Sequence, residues 1–325
     1  MRIFDRVYGE WEISEPVIVE LISGPTMQRL KEIDQSGYFE GFFPGISYSR
    51  FEHSVGAYLL LHKYNAPLEE QIAGLIHDVS HTAFSHCIDY VFGSGERQDF
   101  QDNVFDEFVR KSEIPGILSK YDLDCEYILN DANFPLKEKK LPDLCADRID
   151  YSLRTARVRD DFSSDDILEI LAHLTTKNSN WIFTEEKYAR KYAELFKFVN
   201  TKYFAGLESA AMLQSVGDYL HHALTRSYIA ESDIFTTDRQ VLEKIAPYHL
   251  TDEKLLHLFN RMSNKVAYSN DPSDYEKKVV CKGRIVDPLF DDKGTAKKLS
   301  VADAQWRTIL AQELKPKEYF LRFEH

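Results

Sequence analysis

The chain has 325 residues, of which 43% are hydrophobic and 29% charged, and its formal net charge at neutral pH is −13. At about 150 residues per domain this length allows two domains, and the composition excludes disordered and fibrous architectures. The acidic balance argues against binding along an extended nucleic acid, because such binding depends on many Lys and Arg contacts.

The cysteines and the N-terminal segment indicate the compartment. The four cysteines are scattered along the chain and predict reduced thiols rather than a disulfide framework. Residues 1–14 carry charges throughout and hold no apolar stretch of the signal-peptide type. The longest apolar run, residues 55–61, is far shorter than the roughly 20 residues of a membrane span. We therefore expect a cytoplasmic protein without a membrane segment.

The first predicted elements are a hairpin and three helices. Residues 1–14 alternate apolar and polar side chains around a turn, which predicts a short N-terminal β-hairpin. One helix is predicted to begin after Ser14 and to end at Gly24, and a second covers residues 27–35. Residues 50–64 carry apolar side chains at helical spacing, so they predict a mostly buried helix.

The rest of the chain is also mainly helical. Pro67 begins the next predicted helix. Further helical patterns lie at residues 100–112, 124–131, 141–158, 164–174, 185–200, 202–229 and 251–263. Residues 277–288 and 318–323 have the composition of strands. We predict a mainly α fold, with a helical core over residues 1–230 and a small α+β lobe over residues 231–325.

Histidines are concentrated in one part of the chain. Five of the 11 histidines fall within residues 53–86, and the stretch GLIHDVSHTAFSH (74–86) holds three of them. On a continuous helix His77 and His81 would share a face, because positions i and i+4 do. Clustered imidazoles beside Asp78 are typical of a metal or acid–base site, although each alone could be an ordinary core or surface histidine.

Four stretches together resemble a known family. They are PTMQRLKEIDQSG (25–37), FPGISYSRFEHSVGAYLL (43–60), GLIHDVSHTAFSH (74–86) and ADRIDYSLR (146–154). Their order and spacing resemble those of HD-domain phosphohydrolases, most closely the branch that contains the deoxynucleoside triphosphate triphosphohydrolases. The resemblance implies an HD-domain helical bundle, metal-dependent hydrolysis of nucleotide phosphates, and assembly into a homo-oligomer.

The same resemblance implies a set of metal ligands. By position these are His53, His77, Asp78 and Asp147, while Asp150 is an alternative ligand three residues after Asp147. Two imidazoles and two carboxylates suit a divalent Mn, Fe, Ni, Co, Zn or Mg ion, and the sequence does not choose among these metals.

Catalytic groups are implied next to the ligands. His81 and His86 are the candidates for proton transfer, because imidazole titrates near neutral pH. The family carries a further histidine beside a carboxylate downstream, but the matching stretch here has Gln101 before Asp102. Gln101 cannot transfer a proton in the same way, so Asp102 is the remaining candidate from that motif.

Substrate contacts are also implied by position. Arg50 matches an arginine that binds substrate phosphate, a role that suits a planar guanidinium, although a surface ion pair is the alternative. Arg148 takes the place of a phosphate-facing lysine. Gln35 and Tyr151 match positions that line the sugar pocket, and Arg154 is a further candidate for a phosphate contact.

Several departures affect the predicted substrate. Thr155 stands where the triphosphohydrolases carry an aspartate that binds the sugar 3′-hydroxyl. The helix expected over residues 204–220 offers Phe204, Glu208 and Met212 where the family supplies Arg, His and Tyr. Fewer cations predict a pocket retuned toward fewer phosphates or a different leaving group, unless other basic residues substitute: Arg154, Arg157, Arg159 or Lys202.

We therefore predict a metal-dependent phosphohydrolase that acts on nucleotides, either like a triphosphohydrolase or retuned to shorter nucleotides. The alternative is a nucleotide-binding regulator that keeps the metal site without turnover. A second histidine pair, His221 and His222, is not a predicted ligand pair, because adjacent helical residues point about 100° apart.

Overall fold

The computed structural model describes residues 1–324 of the chain. The α-helices within these residues are α1 (Pro16–Ser23), α2 (Pro25–Arg29), α3 (Phe39–Phe42), α4 (Arg50–Lys63), α5 (Leu68–Ile76), α6 (Cys87–Val91), α7 (Phe100–Lys111), α8 (Ile114–Lys120), α9 (Cys125–Leu129), α10 (Ala146–Val158), α11 (Ser164–Ala172), α12 (Glu186–Val199), α13 (Leu207–Thr225), α14 (Asp238–Ile245), α15 (Glu253–Met262), α16 (Leu299–Ala302) and α17 (Ala304–Glu313). The strands are β1 (Arg2–Asp5), β2 (Gly9–Glu12), β3 (Leu174–Lys177), β4 (Asn180–Phe183), β5 (Tyr268–Asn270), β6 (Lys277–Cys281), β7 (Leu289–Asp292), β8 (Thr295–Lys298) and β9 (Lys317–Phe323). The predicted mainly α fold is confirmed.

The N-terminal hairpin is confirmed as well. Strands β1 and β2 pair antiparallel, with Asp5 opposite Gly9 at the turn. One carboxylate oxygen of Asp5 accepts hydrogen bonds from the backbone N–H groups of Val7 and Tyr8, at 2.8 and 2.9 Å. These bonds close the turn and leave the other Asp5 oxygen for a partner outside the hairpin.

Helix α4 lies at the centre of the bundle and packs against α5 and α10. Ser49 caps its N-terminus by accepting a hydrogen bond from the Glu52 N–H, at 3.2 Å. A Cβ added to Gly56 would lie only 2.0 Å from Arg154 Nη2 and 2.1 Å from Asp150 Oδ1. The missing side chain at Gly56 therefore allows α4 and α10 to approach closely enough to share buried polar contacts.

The chain turns where the sequence predicts a continuing helix. Helix α5 ends at Ile76, and residues 77–80 form turns with backbone hydrogen bonds from Val79 to Ile76 and from His81 to Asp78. The imidazole of His77 bonds back to the carbonyl of Gly74 at 2.7 Å. The prediction that His77 and His81 share one helical face is wrong, because the two residues lie on a tight turn.

The α+β character of the C-terminal region is confirmed, but its sheets extend beyond that region. One sheet has the order β3-β4-β7-β8, with β4 parallel to β7, and the other has the antiparallel order β5-β9-β6. The first sheet joins residues 174–183 to residues 289–298, on either side of the predicted boundary at residue 230. Of the predicted strand 277–288, only residues 277–281 pair in a sheet.

The described cysteines are free, as the sequence predicts. In the part of the chain that the structure describes, no helix is both long and apolar enough to cross a membrane.

Candidate active site

Two imidazoles face each other at the centre of the bundle. His53 on α4 and His77 at the end of α5 bring their Nε2 atoms to 3.1 Å. The Nδ1 atom of His53 lies 2.7 Å from Asp150 Oδ2, and that of His77 lies 2.7 Å from the Gly74 carbonyl. Both partners are hydrogen-bond acceptors, so each imidazole carries its hydrogen on Nδ1 and has a lone pair on Nε2. Two lone pairs that face each other at this distance require a positive charge between them.

Two carboxylates complete this cluster. Asp147 Oδ1 lies 3.0 Å from the Nε2 of His53 and 3.6 Å from the Nε2 of His77. Asp78 approaches the same two Nε2 atoms, at 3.7 and 3.4 Å. The structure thus brings together the four residues that the sequence predicts as ligands. The Nε2 atoms of His53 and His77 and an oxygen of Asp147 all lie within 4.8 Å of one another, and Asp78 stands beside this set. Nitrogen and oxygen donors of this kind fit a divalent cation that keeps further positions open.

Asp150, the alternative ligand, lies on the opposite side of the His53 ring from this cluster. Its carboxylate is fully buried and accepts hydrogen bonds from Arg154 Nε and Nη2, at 3.0 and 2.9 Å. Arg154 Nη2 also reaches Asp5 of the hairpin at 2.9 Å. Asp150 therefore orients the His53 imidazole, as carboxylates beside metal-binding histidines do.

The prediction that Arg154 contacts substrate needs correction. Its side chain is fully buried between Asp5 and Asp150 and does not line the cavity described below. The spacing explains this position, because residues four apart on α10 share a face and that face packs on α4. Arg154 therefore acts on the site through Asp150, which it holds beside the His53 ring.

Burial and charge shift the pKa values in the cluster in opposite directions. Burial lowers the pKa of His53, but hydrogen bonds to Asp147 and Asp150 outweigh it and raise the pKa to about 9. Burial raises the pKa of Asp78, but Arg50 and the nearby imidazoles outweigh it and hold that pKa well below its usual range. The metal-free cluster therefore keeps its carboxylates ionised and retains a proton between the imidazoles.

Arg50 holds Asp78 in place. The Arg50 guanidinium is 3% exposed and donates to Asp78 Oδ2 at 2.7 Å, to Ser85 Oγ at 2.9 Å and to the Gln35 carbonyl at 2.7 Å. All three of its nitrogen atoms thus have protein partners. Its predicted contact with substrate phosphate stays a prediction.

A cavity of about 790 Å³ opens beside the cluster. Most of the predicted site residues line it: Gln35, Arg50, His77, Asp78, His81, His86, Asp102, Asp147, Arg148 and Tyr151. His53 is fully buried behind this lining. The cavity falls within the range of volumes that accommodate a small molecule.

Two buried polar atoms of the lining lack a hydrogen-bond partner within residues 1–324. They are the side-chain carbonyl oxygen of Gln35 and the hydroxyl of Tyr151. The Tyr151 ring packs edge-on against Phe204, at 5.3 Å between centroids. Thr155 instead shares a hydrogen bond with the Tyr48 hydroxyl, at 2.9 Å, and lies outside the lining. Gln35 and Tyr151 can therefore bind polar groups of a ligand.

Two further imidazoles lie beside Asp78. The rings of His81 and His86 are perpendicular, with centroids 5.1 Å apart, and His81 Nε2 lies 3.4 Å from Asp78 Oδ1. Burial lowers the pKa of His81 to about 3 and also lowers the pKa of His86, which pairs with Asp89 at 3.3 Å. Both rings are neutral at pH 7, and its low pKa makes His81 only a weak proton acceptor.

Gln101 and Asp102 have different positions. Gln101 accepts a hydrogen bond from Ser80 at 2.6 Å and donates to the His77 carbonyl at 3.3 Å, so it supports the turn that carries His77. Asp102 lines the cavity, and burial raises its pKa. A carboxyl with a raised pKa can carry a proton closer to neutral pH than an ordinary aspartate.

The basic residues that line the cavity are not those that the sequence offers as replacements for missing phosphate contacts: Arg154, Arg157, Arg159 and Lys202. Arg157 pairs with Asp160 and Lys202 pairs with Asp161, while Arg159 stacks on an aromatic ring. Besides Arg50 and Arg148, the cavity is lined by cations that the sequence analysis missed: Lys137, Lys139, Lys140, Lys282 and Arg284. The only sequence signals are short basic runs, KEKK (137–140) and KGR (282–284).

Comparisons with known proteins agree with this geometry. The chain is 33% identical over 296 residues to the uncharacterized protein YdhJ of Bacillus subtilis, and this match covers 90% of each of the two chains. It is 40% identical over 156 residues to the metal-dependent phosphohydrolase cns2 of Cordyceps militaris, covering 47% of this chain and 44% of that one. It is 32% identical over 165 residues to the deoxynucleoside triphosphate triphosphohydrolase SAMHD1 of Gallus gallus, covering 42% of this chain and 27% of that one. The matches thus span less than half the length of cns2 and SAMHD1.

Solved structures share the fold along the whole chain. A hypothetical protein from Aquifex aeolicus superposes with a TM-score of 0.73 at 17% identity, covering 99% of this chain and 96% of that one. A phosphohydrolase from Bacteroides thetaiotaomicron superposes with a TM-score of 0.72 at 17% identity, covering 100% of both chains. No protein-family model matches the chain.

The sequence similarity runs along nine tenths of one relative and along less than half of this chain for two named phosphohydrolases. Three of the four motifs quoted from the sequence carry the convergent His and Asp residues described above. The chain belongs to the HD-domain phosphohydrolases and is related to the deoxynucleoside triphosphate triphosphohydrolases.

Proposed function

We propose that this protein is a metal-dependent phosphohydrolase that cleaves a phosphoester or phosphoanhydride bond of a nucleotide. One observation carries the proposal. Two Nε2 lone pairs and two carboxylates converge at one side of a cavity whose other walls carry five lysine and arginine side chains in addition to Arg50 and Arg148. The names of the relatives cns2 and SAMHD1 support the same reaction and the same class of substrate.

We assign the metal to His53, His77, Asp78 and Asp147, with Mn, Fe, Ni, Co, Zn and Mg as the candidate ions. When bound there, a divalent cation supplies a water of lowered pKa and neutralises charge on a phosphoryl oxygen. Asp150 and the Gly74 carbonyl hold the two imidazoles so that their Nε2 atoms face the ion.

The other residues of the cavity are assigned to proton transfer and to substrate binding. His81, neutral and 3.4 Å from Asp78, stays a candidate for proton transfer, and His86 and Asp102 line the cavity in which a leaving oxygen would take up a proton. The Arg148 guanidinium pairs with Glu138 at 3.0 Å in this structure, and it binds phosphate oxygens when substrate is present. Gln35 and Tyr151 present their unpartnered oxygen atoms to the sugar.

The proposal is tested by loading the protein separately with Mn, Fe, Co, Ni, Zn and Mg. Each form is incubated with a pooled panel of ribo- and deoxynucleoside mono-, di-, tri- and cyclic phosphates. Mass spectrometry identifies the products, and Asp78→Ala is the matched inactive variant. Release of triphosphate supports a triphosphohydrolase, and release of inorganic phosphate from shorter nucleotides supports a retuned phosphatase.

Saturable nucleotide binding with full metal content and no product from any nucleotide would contradict the hydrolase and favour the regulator. Two expectations from the sequence analysis stay predictions. Assembly into a homo-oligomer is tested by sedimentation velocity of the purified protein, and the cytoplasmic location by fractionation of cells that express it.

A further inference from the structure

The segment that follows β6 carries two cations into the cavity. Lys282 and Arg284 are partly buried and line the cavity, whereas Cys281 and Ile285 are fully buried in the core. This alternation is that of an extended chain with one face on the core and the other toward the cavity. Both cations therefore point to the same side as the candidate metal ligands.

Gly283, between the two cations, fixes the position of this segment. A Cβ at Gly283 would lie 2.3 Å from the carbonyl oxygen of Lys315 and 2.8 Å from that of Glu313. Both contacts are with backbone, which cannot move aside as a flexible side chain would. The segment is also held by the Tyr90 hydroxyl, which donates to the Val280 carbonyl at 2.9 Å. The two cations are therefore presented by rigid backbone.

The charges of this cluster are not balanced by contacts inside the protein. Within residues 1–324 the Lys282 ammonium makes no hydrogen bond or ion pair, and Arg284 donates to a neutral partner, Gln98 Oε1, at 2.6 Å. Burial lowers the pKa of Lys282 and the like charge of Arg284 lowers it further, and together they outweigh the attraction of Asp102 and Asp99. Two neighbouring cations that repel each other in a cavity are stabilised by a bound anion.

The position of the cluster indicates which anion. The cations line the same cavity as Asp78 and Asp147, so an anion bound by them shares that cavity with the candidate metal centre. Helix α13 brings Ser209, Met212 and Leu213 to the same cavity, and at Met212 the resemblance leads us to expect a basic or polar side chain. The C-terminal lobe therefore supplies positive charge to a cavity that α13 lines with uncharged side chains.

We propose that Lys282 and Arg284 form an anion subsite for the phosphoryl groups of a nucleotide other than the one that is attacked. This inference rests on the proposed function and sharpens it: the preferred substrates are nucleoside di- or triphosphates rather than monophosphates. A guanidinium and an ammonium on one rigid segment can bind oxygens of neighbouring phosphoryl groups.

Kinetics of single variants test the subsite. Lys282→Ala and Arg284→Gln should each raise KM for a nucleoside triphosphate by roughly tenfold, with kcat nearly unchanged, as expected for loss of one charge-assisted hydrogen bond. KM for the monophosphate of the same nucleoside should stay within about twofold, because the lost contact lies beyond its single phosphate. Arg284→Lys keeps the charge and should recover part of the affinity.

Lys278→Ala is the matched control. Lys278 is an exposed cation of β6, the strand that precedes this segment; it pairs with Glu318 at 2.9 Å and does not line the cavity. Its loss changes the net charge equally and should leave both KM values unchanged. Gly283→Ala is a second test, since it should raise KM for the triphosphate without removing any charge. Circular dichroism and thermal melts show whether each variant folds.

A binding measurement separates this inference from the proposed function. Chelator-treated protein is titrated with inorganic tripolyphosphate and with inorganic phosphate by calorimetry. Tighter binding of tripolyphosphate that Lys282→Ala and Arg284→Gln weaken supports the subsite, even if no nucleotide is hydrolysed and the proposed hydrolase fails. Equal affinity of the folded variants and the wild type would overturn the subsite, even if the wild type hydrolyses nucleotides.

Discussion

Two sides of one cavity differ in how their charges are balanced. The floor, formed by His53, His77, Asp78 and Asp147, comes from α4, the end of α5 and α10, and its charged groups contact each other within 4 Å. The cationic wall, formed by Lys137, Lys139, Lys140, Lys282 and Arg284, comes from two distant segments. Within residues 1–324 only Lys137 of these forms an ion pair, with Asp131.

The floor is a preorganised network in which each group is oriented by a buried partner, as Asp150 orients His53. The wall includes Lys282, which has no ionic partner within residues 1–324. Buried networks respond strongly to removal of one member, whereas exposed charges act weakly and are screened by salt. Substitutions on the floor should therefore change metal binding and stability, and substitutions on the wall should change the affinity for anions.

The largest effect is expected from Asp78→Ala on the floor. The change removes a candidate ligand and the partner of the buried Arg50 guanidinium. We expect metal affinity and activity to fall by more than about a hundredfold, because even partners outside the ligand shell contribute about 10–100-fold. Metal content by elemental mass spectrometry and the rate of hydrolysis are the measurements.

Asp106→Asn is the control for that change. Asp106 also lines the cavity, but it forms a surface ion pair with Arg110 at 3.4 Å. It should keep both metal and activity. If Asp78→Ala kept its metal content and turnover, Asp78 would not be a ligand, and the proposed difference between the floor and the wall would be wrong.

Asp150→Asn should give the next largest effect. Its loss leaves the His53 Nδ1–H without a carboxylate acceptor and Arg154 without its main buried counter-charge. We expect metal affinity to fall about 10–100-fold and the free energy of unfolding to fall by about 3–5 kcal/mol. Calorimetric metal titration and urea denaturation measure the two quantities.

Asp5→Asn is the matched control, because it removes only the far contact of Arg154 and leaves His53 bonded to Asp150. It should lower stability while changing metal affinity less than about threefold. If Asp150→Asn behaved in the same way as Asp5→Asn, Asp150 would be a structural residue without influence on the metal.

The pH dependence of metal binding should sharpen the same comparison. Hydrogen bonds to Asp147 and Asp150 outweigh burial and raise the pKa of His53 to about 9, so a metal must displace a proton from it. Affinity should rise with pH by up to about tenfold per unit and level off above about pH 9. Without metal, the raised pKa stabilises the fold below the ordinary pKa of histidine, and this contribution is lost as pH rises through about 9.

Titration of chelator-treated protein with Mn²⁺ between about pH 6.5 and 9.5 measures this dependence. An affinity that does not change over this range would show that His53 carries no proton in the metal-free floor, contrary to the pKa given above.

The smallest effect is expected from Lys140→Ala on the wall. Lys140 is exposed, so its loss should raise KM for a nucleoside triphosphate only about two- to threefold. The difference should vanish at about 1 M salt, where the Debye length is near 3 Å. Steady-state kinetics at low and high salt measure it, and the larger effect of Lys282→Ala should persist in part because Lys282 is partly buried.

Local signals made much of the fold predictable, and the resemblance to a known family predicted which residues converge at the floor. The alternation of residues 1–14 and the helical spacing of residues 50–64 correctly predicted the hairpin and α4. The four candidate ligands lie in motifs next to these elements, and the structure brings them together. Such predictions succeed because neighbouring side chains determine periodicity and capping.

Other features depended on contacts between distant residues. The end of α5 at Ile76 and the burial of Arg154 between Asp5 and Asp150 were predicted wrongly. The apolar pattern of the chain continues past Ile76, and nothing near Arg154 in the sequence indicates its partner 149 residues away. The same holds for the sheet that joins β4 to β7.

By itself, the sequence determined a mainly α protein, its N-terminal hairpin and a cluster of His and Asp motifs with the donor chemistry of a divalent metal. Only the tertiary structure decided which carboxylate faces the Nε2 atoms, which one stands behind His53, and which cations reach the cavity. The physical reason is that residue type determines what a side chain can bind, whereas the packing of distant segments, such as Gly56 against α10 and Gly283 against residues 313–315, determines where it points.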